Sequence, residues 1–258
     1  MRGQIRVGLK VSHASVQEKF PVQPKKIVEQ VAVVLRTIVL EELDWTQAQT
    51  IGIELQRDYG ALVQKLLDAG SADVARTAPQ NLARLLTVLQ ACAEDYTPTS
   101  KIGGWLRKDK PRAVEVHRQE IEQLRARLNL SMSDLDVPVR QIMDVRGKLS
   151  HLADSLLATS FACEWLCDSQ VLSDEVRSVL IERTVSLTKT AALVQQQQLQ
   201  SLAAASQLDA LRERIQDAVL IALPSWLATL ASQPESLNET QRFVVRDDLR
   251  QIIDRLKT

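Results

Sequence analysis

Hydrophobic residues in the middle of the chain recur at seven-residue intervals. The row consists of Val114, Ile121, Leu128, Leu135, Ile142, Leu149 and Leu156. A sustained seven-residue repeat is typical of long helices that pack along a shared seam. The companion row is incomplete, since it holds Leu124, Val145 and Leu152 but also His117, Ser131, Pro138 and Thr159. The pattern predicts two long helices, or one bent helix, over residues 112–168. Pro138 requires a kink or a break, and residues 131–136 would suit a short turn.

Shorter helical patterns precede this region. Apolar residues at helical spacing predict a first helix over residues 27–43. Asp44 and Gln47 resemble a capping box, which would open a second helix that ends at Gly70. A third helix is predicted to begin at Thr77. Pro79 would lie in its first turn, where proline is tolerated. It should end before Pro98.

Further helices are predicted after the seven-residue row. Ser173 is positioned to cap a long helix that continues until Pro224 interrupts it. Within that helix, the glutamines and alanines of residues 195–205 indicate a solvated helix surface. Ser236 and Glu239 resemble the capping box of a last helix. The uncharged residues 218–231 are too few to span a bilayer, so we expect a buried, kinked core helix or, if unpacked, an interaction patch.

The N-terminus differs from the rest of the chain. Apolar and polar residues alternate from Ile5 to Val11, which is typical of a half-buried strand. No partner strand is evident, and residues 1–26 carry six Lys or Arg and one Glu. We therefore predict a basic extended arm, either mobile or paired with another chain.

These patterns predict an all-α protein, an elongated bundle of long antiparallel helices with coiled-coil-like seams. The domains would be the arm (1–26), a smaller N-terminal helical region (27–97), a basic Gly/Pro linker (98–112) and the long-helix bundle (113–258). Eight Gly and eight Pro in 258 residues agree with this fold, because loop-rich and all-β folds need more turn residues.

The composition argues against some classes of function and some cellular compartments for this chain. The 32 basic and 32 acidic side chains balance, and aromatic residues are scarce, so specific nucleic-acid binding is not expected. Three cysteines form no disulfide framework, which favours a reducing compartment. No long uncharged apolar run or signal peptide is recognised. We expect a cytoplasmic protein, with peripheral contact at the inner face of the membrane as an option.

No catalytic constellation is evident. Cys163 and Cys167 share one face of a helix, but no second ligand pair at zinc spacing accompanies them, so a core role is favoured. The three histidines, His13, His117 and His151, are scattered. We expect no enzyme, no metal and no cofactor. A site that forms only on folding would show itself as a polar, concave pocket.

One segment combines basic and apolar residues. The candidate contact residues are Lys101, Trp105, Arg107, Lys108, Lys110 and Arg112. Such a segment could lie on an anionic membrane, bind an acidic partner, or hold an oxyanion near a helix that opens at Pro111. The alternative is a linker whose tryptophan docks against the bundle.

Three features together resemble the toxic-anion (tellurite) resistance family of bacterial cytoplasmic proteins. They are residues 101–108 (Lys-Ile-Gly-Gly-Trp-Leu-Arg-Lys), the seven-residue row after them, and residues 218–227 (Ala-Val-Leu-Ile-Ala-Leu-Pro-Ser-Trp-Leu). The resemblance covers roughly residues 75–231 and lies in the order of these segments and their general composition. It implies an all-helical, non-enzymatic protein linked to tolerance of tellurite and other stresses, with no catalytic residues to carry over.

The expected function is therefore a helical scaffold or adaptor of a bacterial stress response, which contacts protein partners or a membrane surface. The alternative is a structural or assembly coiled-coil protein of a phage, a secretion system or an oligomeric scaffold, unrelated to anions. A third hypothesis is thiol-dependent anion handling by Cys163 and Cys167. Protein partners are expected, and homo-oligomerisation is an option.

Overall fold

The computed structural model describes residues 11–40, 43–96, 113–232 and 238–257. Helices occupy most of these residues, and no β-strand occurs among them. In chain order they are α1 (His13–Lys19), α2 (Lys25–Thr37), α3 (Trp45–Thr50), α4 (Ile53–Gly70), α5 (Asp73–Asp95), α6 (Ala113–Ser169), α7 (Asp174–Gln216), α8 (Leu223–Ala231) and α9 (Glu239–Lys257). A π-helical segment, Asp217–Ala222, joins α7 to α8. The predicted all-α fold is confirmed.

The seven-residue row is the buried face of α6. This helix has 57 residues and continues through Pro138, so the chain does not break there. The six members of the row from Ile121 to Leu156 are at most 2% exposed, while Val114 is half-buried. The predicted seam is thereby confirmed as a packing face of one continuous helix.

Two polar residues lie within this buried face because their hydroxyl groups are satisfied by the helix itself. Ser131 donates from Oγ to the carbonyl oxygen of Arg127 at 3.0 Å. Thr159 donates from Oγ1 to the carbonyl oxygen of Ser155 at 2.8 Å. Such bonds to the preceding turn remove the cost of burying an unpaired hydroxyl.

The chain forms two compact units, each drawn from two separate stretches of the sequence. Unit 1 contains Met1–Asp68 and Gln141–Ala203, and unit 2 contains Ala69–Arg140 and Ala204–Thr258. The boundary falls inside α6 and inside α7, so each unit combines residues from both sides of the predicted linker.

The uncharged run of residues 218–231 is buried only in part: Ala218, Val219 and Ala222 lie in the core of unit 2, while Leu220 and Ile221 are 53% and 57% exposed. Trp226 is 1% exposed and clusters with Leu89 of α5, Leu128 of α6 and Leu249 of α9. Before Pro224 the helix widens to π geometry, and the amide of Leu223 bonds the carbonyl of Ala218. Such widening is one way in which a helix accommodates a residue that lacks an amide hydrogen.

The predicted second helix is broken in two. Asp44 caps α3 as expected, since its side chain accepts a hydrogen bond from the amide of Gln47 at 2.7 Å. The helix stops after Thr50, however, and α4 begins at Ile53. Between them Gly52 has φ 74°, a left-handed conformation that glycine adopts without steric cost.

Other helix ends also differ from the predictions. α2 ends at Thr37 rather than at residue 43, and α5 begins at Asp73, so Pro79 lies inside it. Ser236 lies outside the described residues. The capping box of α9 is instead formed by Asn238 and Gln241, whose side chains bond each other's amides at 2.8 Å and 3.0 Å.

The extended arm is corrected over the residues that the structure describes. His13–Lys19 is a helix, capped by Ser12, whose hydroxyl accepts from the amide of Ser15 at 3.1 Å. Val16 is fully buried, and the ring of Phe20 lies 4.9 Å from that of Phe161 in α6. The N-cap and this aromatic contact favour a docked helix over a strand. Residues 1–10 lie outside the described part of the chain.

Candidate interaction surface

The predicted basic contact lies outside the described residues. It comprises Lys101, Trp105, Arg107, Lys108, Lys110 and Arg112. Its membrane, acidic-partner and oxyanion interpretations therefore stay predictions.

The two candidate thiols are packed into unit 1. Cys163 is fully buried and Cys167 is 6% exposed, and both cysteines are free. Burial raises the pKa of Cys163 to about 12 and also raises the pKa of Cys167. Cys92, in unit 2, is buried as well, and desolvation raises its pKa to about 11. Because the thiolate is the reactive form, these surroundings favour a packing role.

No group of three or more His, Cys, Asp or Glu side chains that could hold a metal occurs among the residues described. Unit 2 contains a cavity of about 270 Å³ beside the first turns of α6. Its lining combines apolar residues, such as Ile121 and Leu227, with the charged side chains of Glu115, Arg118 and Glu122. The charged pair Arg118 and Glu122 at its edge is joined by a 3.4 Å contact.

A polar network fixes one face of α7 against the α3–α4 turn within unit 1. Arg183 donates from Nη2 and Nε to the carbonyl oxygen of Ile51, at 2.7 Å and 3.0 Å. Gln56 of α4 accepts from Arg183 at 3.0 Å and donates to Ser186 and Thr190 at 3.0 Å and 2.9 Å. The network agrees with the rotation at which α7 buries Leu180, Leu187 and Val194.

Close backbone approach makes this network possible. A Cβ atom added to Gly52 would lie 2.6 Å from Cδ2 of Leu187, which is fully buried in α7. It would also lie 3.4 Å from Cγ2 of Thr159 in α6. Glycine lets the turn sit at this distance without displacing the end of the Leu187 side chain.

The opposite face of α7 carries an exposed, uncharged row of residues. At 100° per residue, Arg183, Ser186 and Thr190 lie on the far side of the helix from Leu199. We name as the α7 stripe the exposed residues Ile181, Val185, Thr188, Ala192, Gln195, Leu199 and Leu202. Leu199 is 71% exposed and Ile181 is 53% exposed.

The spacing of the α7 stripe alternates between four and three residues, which is the repeat of a coiled-coil seam. The stripe spans 22 residues, or about 33 Å of helix. No charged residue occurs from Thr190 to Leu208. The glutamines and alanines of this stretch predict a solvated surface. The absence of charge at positions that share the outer face is the sequence signal that favours an interaction surface instead.

A comparable row lies on α6 in unit 2. We name as the α6 stripe the residues Val116, Gln119, Gln123, Ala126, Leu130, Ser133 and Val137, all exposed and uncharged. Leu130 is 67% exposed. Ion pairs flank this stripe. Glu120 contacts Arg84 at 2.6 Å, and hydrogen bonds from Arg84 and His117 lower the pKa of its carboxyl group.

The chain shows no significant match to a protein-family model, a curated protein or a solved structure. Within the part of the chain that the structure describes, we find no helix with the length and apolarity needed to cross a membrane. The resemblance to the toxic-anion resistance family stays a prediction from the sequence.

Proposed function

We propose that the protein is a non-enzymatic helical scaffold that works by offering exposed helix faces to other helices. The observation that carries this proposal is the α7 stripe. Seven consecutive seam positions on its outer face are exposed and uncharged. Coiled-coil partners recognise this pattern, because each seam residue inserts between residues of the facing helix.

The chemistry of the stripes supports binding of apolar helices. Full burial of a Val, Leu or Ile side chain contributes about 1.5–3 kcal/mol, so each half-exposed member could add roughly 1 kcal/mol on docking. The α7 stripe has four such members: Ile181, Val185, Leu199 and Leu202. A charged surface loses much of its binding energy because its charges must be desolvated. The α7 stripe has no charge, so docking there avoids this cost.

A bacterial stress response is the setting that we propose for this scaffold, and it rests on the sequence resemblance to toxic-anion resistance proteins. The assembly alternative, a coiled-coil component unrelated to anions, is favoured by the same stripes. Thiol-dependent anion handling has less support, because burial disfavours the thiolates of Cys163 and Cys167.

Site-specific photo-crosslinking in cells tests the scaffold proposal. A photoreactive amino acid replaces Leu199 in the α7 stripe or Leu130 in the α6 stripe, and Asp58, an exposed residue of α4, serves as the control. We expect discrete crosslinked species from the stripe positions, identified by mass spectrometry, and none from position 58. Equal crosslinking at all three positions, or none at either stripe, would contradict the proposal.

A growth test separates the two settings. If the scaffold serves anion tolerance, cells that carry Leu199→Glu should lose tellurite resistance while keeping the protein at its normal level. Unchanged resistance together with lost crosslinks would favour the assembly alternative.

A further inference from the structure

We propose that the partner of the α7 stripe is a second copy of this chain, packed antiparallel so that two α7 helices face each other. This inference rests on the proposed function and names the partner of the same surface. Three properties of the stripe argue for it: its charge, the sizes of its side chains, and its flanks.

The charge pattern permits self-association. An interface with a two-fold axis brings the same surface from both copies together, so a net charge on that surface would repel the second copy. The stripe has no charge, and residues 190–208 have none at all. The nearest charges, Glu182 and Lys189, flank its N-terminal half. In the antiparallel arrangement they lie beside Ala203 and Gln196 of the second copy, so no like charges meet.

Side-chain sizes select the antiparallel direction. If the two-fold axis passes between residues 193 and 194, the residue numbers of two facing stripe positions add up to 387. Val185 then faces Leu202 of the second copy, Thr188 faces Leu199, and Ala192 faces Gln195. Each layer joins a larger side chain to a smaller one, which favours even packing. A parallel, in-register pair would instead place Ala192 against Ala192 and Leu199 against Leu199, leaving one layer underfilled and the other crowded.

The flanks distinguish this stripe from the one on α6. Positions beside the α7 stripe are mostly Ala, Gln and Thr. Positions beside the α6 stripe hold charged groups, including Glu120 and Asp136, which accept from Arg84 and Arg212 at 2.6 Å and 2.8 Å. A facing helix would have to desolvate these pairs, which is costly. Self-association is therefore assigned to α7.

Disulfide trapping of the full chain tests both the partner and its direction. Val185 and Leu202 are replaced by cysteine singly and together, and the proteins are oxidised mildly. Residues 185 and 202 are about 26 Å apart along one helix, beyond disulfide reach, so a bond between them must join two chains. The native cysteines are buried and do not compete.

We expect disulfide-linked dimers from the double variant, and from a mixture of the two single variants, but not from either single variant alone. The matched control is V33C/L67C, which places two cysteines at exposed apolar positions of unit 1 outside the stripe. Dimers from V185C alone would show a parallel pair and overturn the assignment of direction. If the control forms disulfide-linked dimers to the same extent, the linkage is unspecific and the proposed interface is wrong.

Sedimentation equilibrium supplies the second readout. The double substitution L199E/L202E should raise the dimer dissociation constant at least 100-fold, while L67E leaves it unchanged. Circular dichroism verifies that each variant is folded. A wild-type chain that stays monomeric at 100-fold higher concentration than in the cell overturns the self-association. If the in-cell crosslink at Leu199 then identifies a different protein, the scaffold proposal survives and this inference alone fails.

Discussion

Arg183 of α7 holds the carbonyl oxygen of Ile51 with two hydrogen bonds, of 2.7 Å and 3.0 Å, at the point where the backbone turns from α3 into α4. These residues are separated by 132 positions in the chain. This carbonyl is satisfied by a side chain from a distant part of the chain, one of the ways in which backbone acceptors in turns are paired. Arg183 therefore ties a local turn to a long helix, and it does so on the face of α7 opposite its exposed stripe.

Replacing Arg183 by alanine should destabilise the protein by about 2 kcal/mol, because hydrogen bonds to a charged donor are lost and a half-buried carbonyl is left without them. Urea denaturation monitored by circular dichroism measures the loss. Arg177→Ala, an exposed arginine on the same helix, is the matched control and should change the free energy of unfolding by less than about 0.5 kcal/mol. Equal effects of the two substitutions would show that the bonds to Ile51 contribute nothing.

Gly52 and Gly60 should respond to alanine in opposite directions. Gly52 has φ 74° and faces Leu187, so Gly52→Ala should cost about 1–2 kcal/mol in backbone strain. Gly60 lies inside α4 with no atom within 4 Å of an added Cβ. Gly60→Ala should therefore stabilise the protein by about 0.5–1 kcal/mol. Thermal unfolding of both variants gives the signs. A neutral Gly52→Ala would mean that the turn readily adopts another conformation.

The fold was largely predictable because its strongest determinant is periodic. The row from Ile121 to Leu156 appears in the sequence at fixed intervals, and the structure buries it. The break at Gly52 was not predictable from local pattern. Residues before and after it continue one helical repeat, and the close approach of Leu187, more than a hundred positions away, exists only in the folded chain. The docked α1 was missed for a related reason, since Phe20 packs against Phe161.

The candidate surface was harder to predict than the fold. The sequence does not tell whether Leu199 and Gln195 face solvent or a partner. The structure shows that they share an exposed face of α7, opposite the side that Arg183 and Gln56 bond to the α3–α4 turn. Burial of the cysteines followed from their apolar neighbours in the sequence. The magnitude of the pKa shift at Cys163 could not be inferred from the sequence, because desolvation depends on all the side chains packed around the thiol.

Cys163 should make the protein less stable at alkaline pH. Its pKa is raised from 9.0 to about 12 on folding, so between these values the unfolded chain has lost a proton that the folded chain keeps. Stability then falls as the pH rises, by about 1.4 kcal/mol for each pH unit above the lower value. Urea unfolding at pH 8 and pH 10 should show that Cys163→Ala removes roughly this amount of the pH dependence. The cost of that substitution should thus shrink at pH 10, and a constant cost would show that the thiol ionises freely in the folded protein.

The basic segment can be tested by vesicle co-sedimentation of the full chain. Each Lys or Arg near an anionic membrane surface contributes about 1 kcal/mol, so changing Lys101, Arg107, Lys108, Lys110 and Arg112 to glutamine should weaken binding to anionic vesicles by roughly several thousandfold. Binding of the wild-type chain should also fall steeply with salt, because the surface potential is screened. Neutral vesicles should bind neither protein.

The charge-matched control changes five exposed basic residues elsewhere: Lys25, Lys65, Arg177, Arg242 and Arg250. It should retain vesicle binding, because it alters the net charge equally but leaves residues 101–112 intact. If it loses binding to the same extent, the attraction comes from overall charge and the segment has no special part in it. If the wild-type chain binds no vesicles at low salt, the membrane role is excluded. The apolar stripes of α6 and α7 would then be the surfaces through which the scaffold acts.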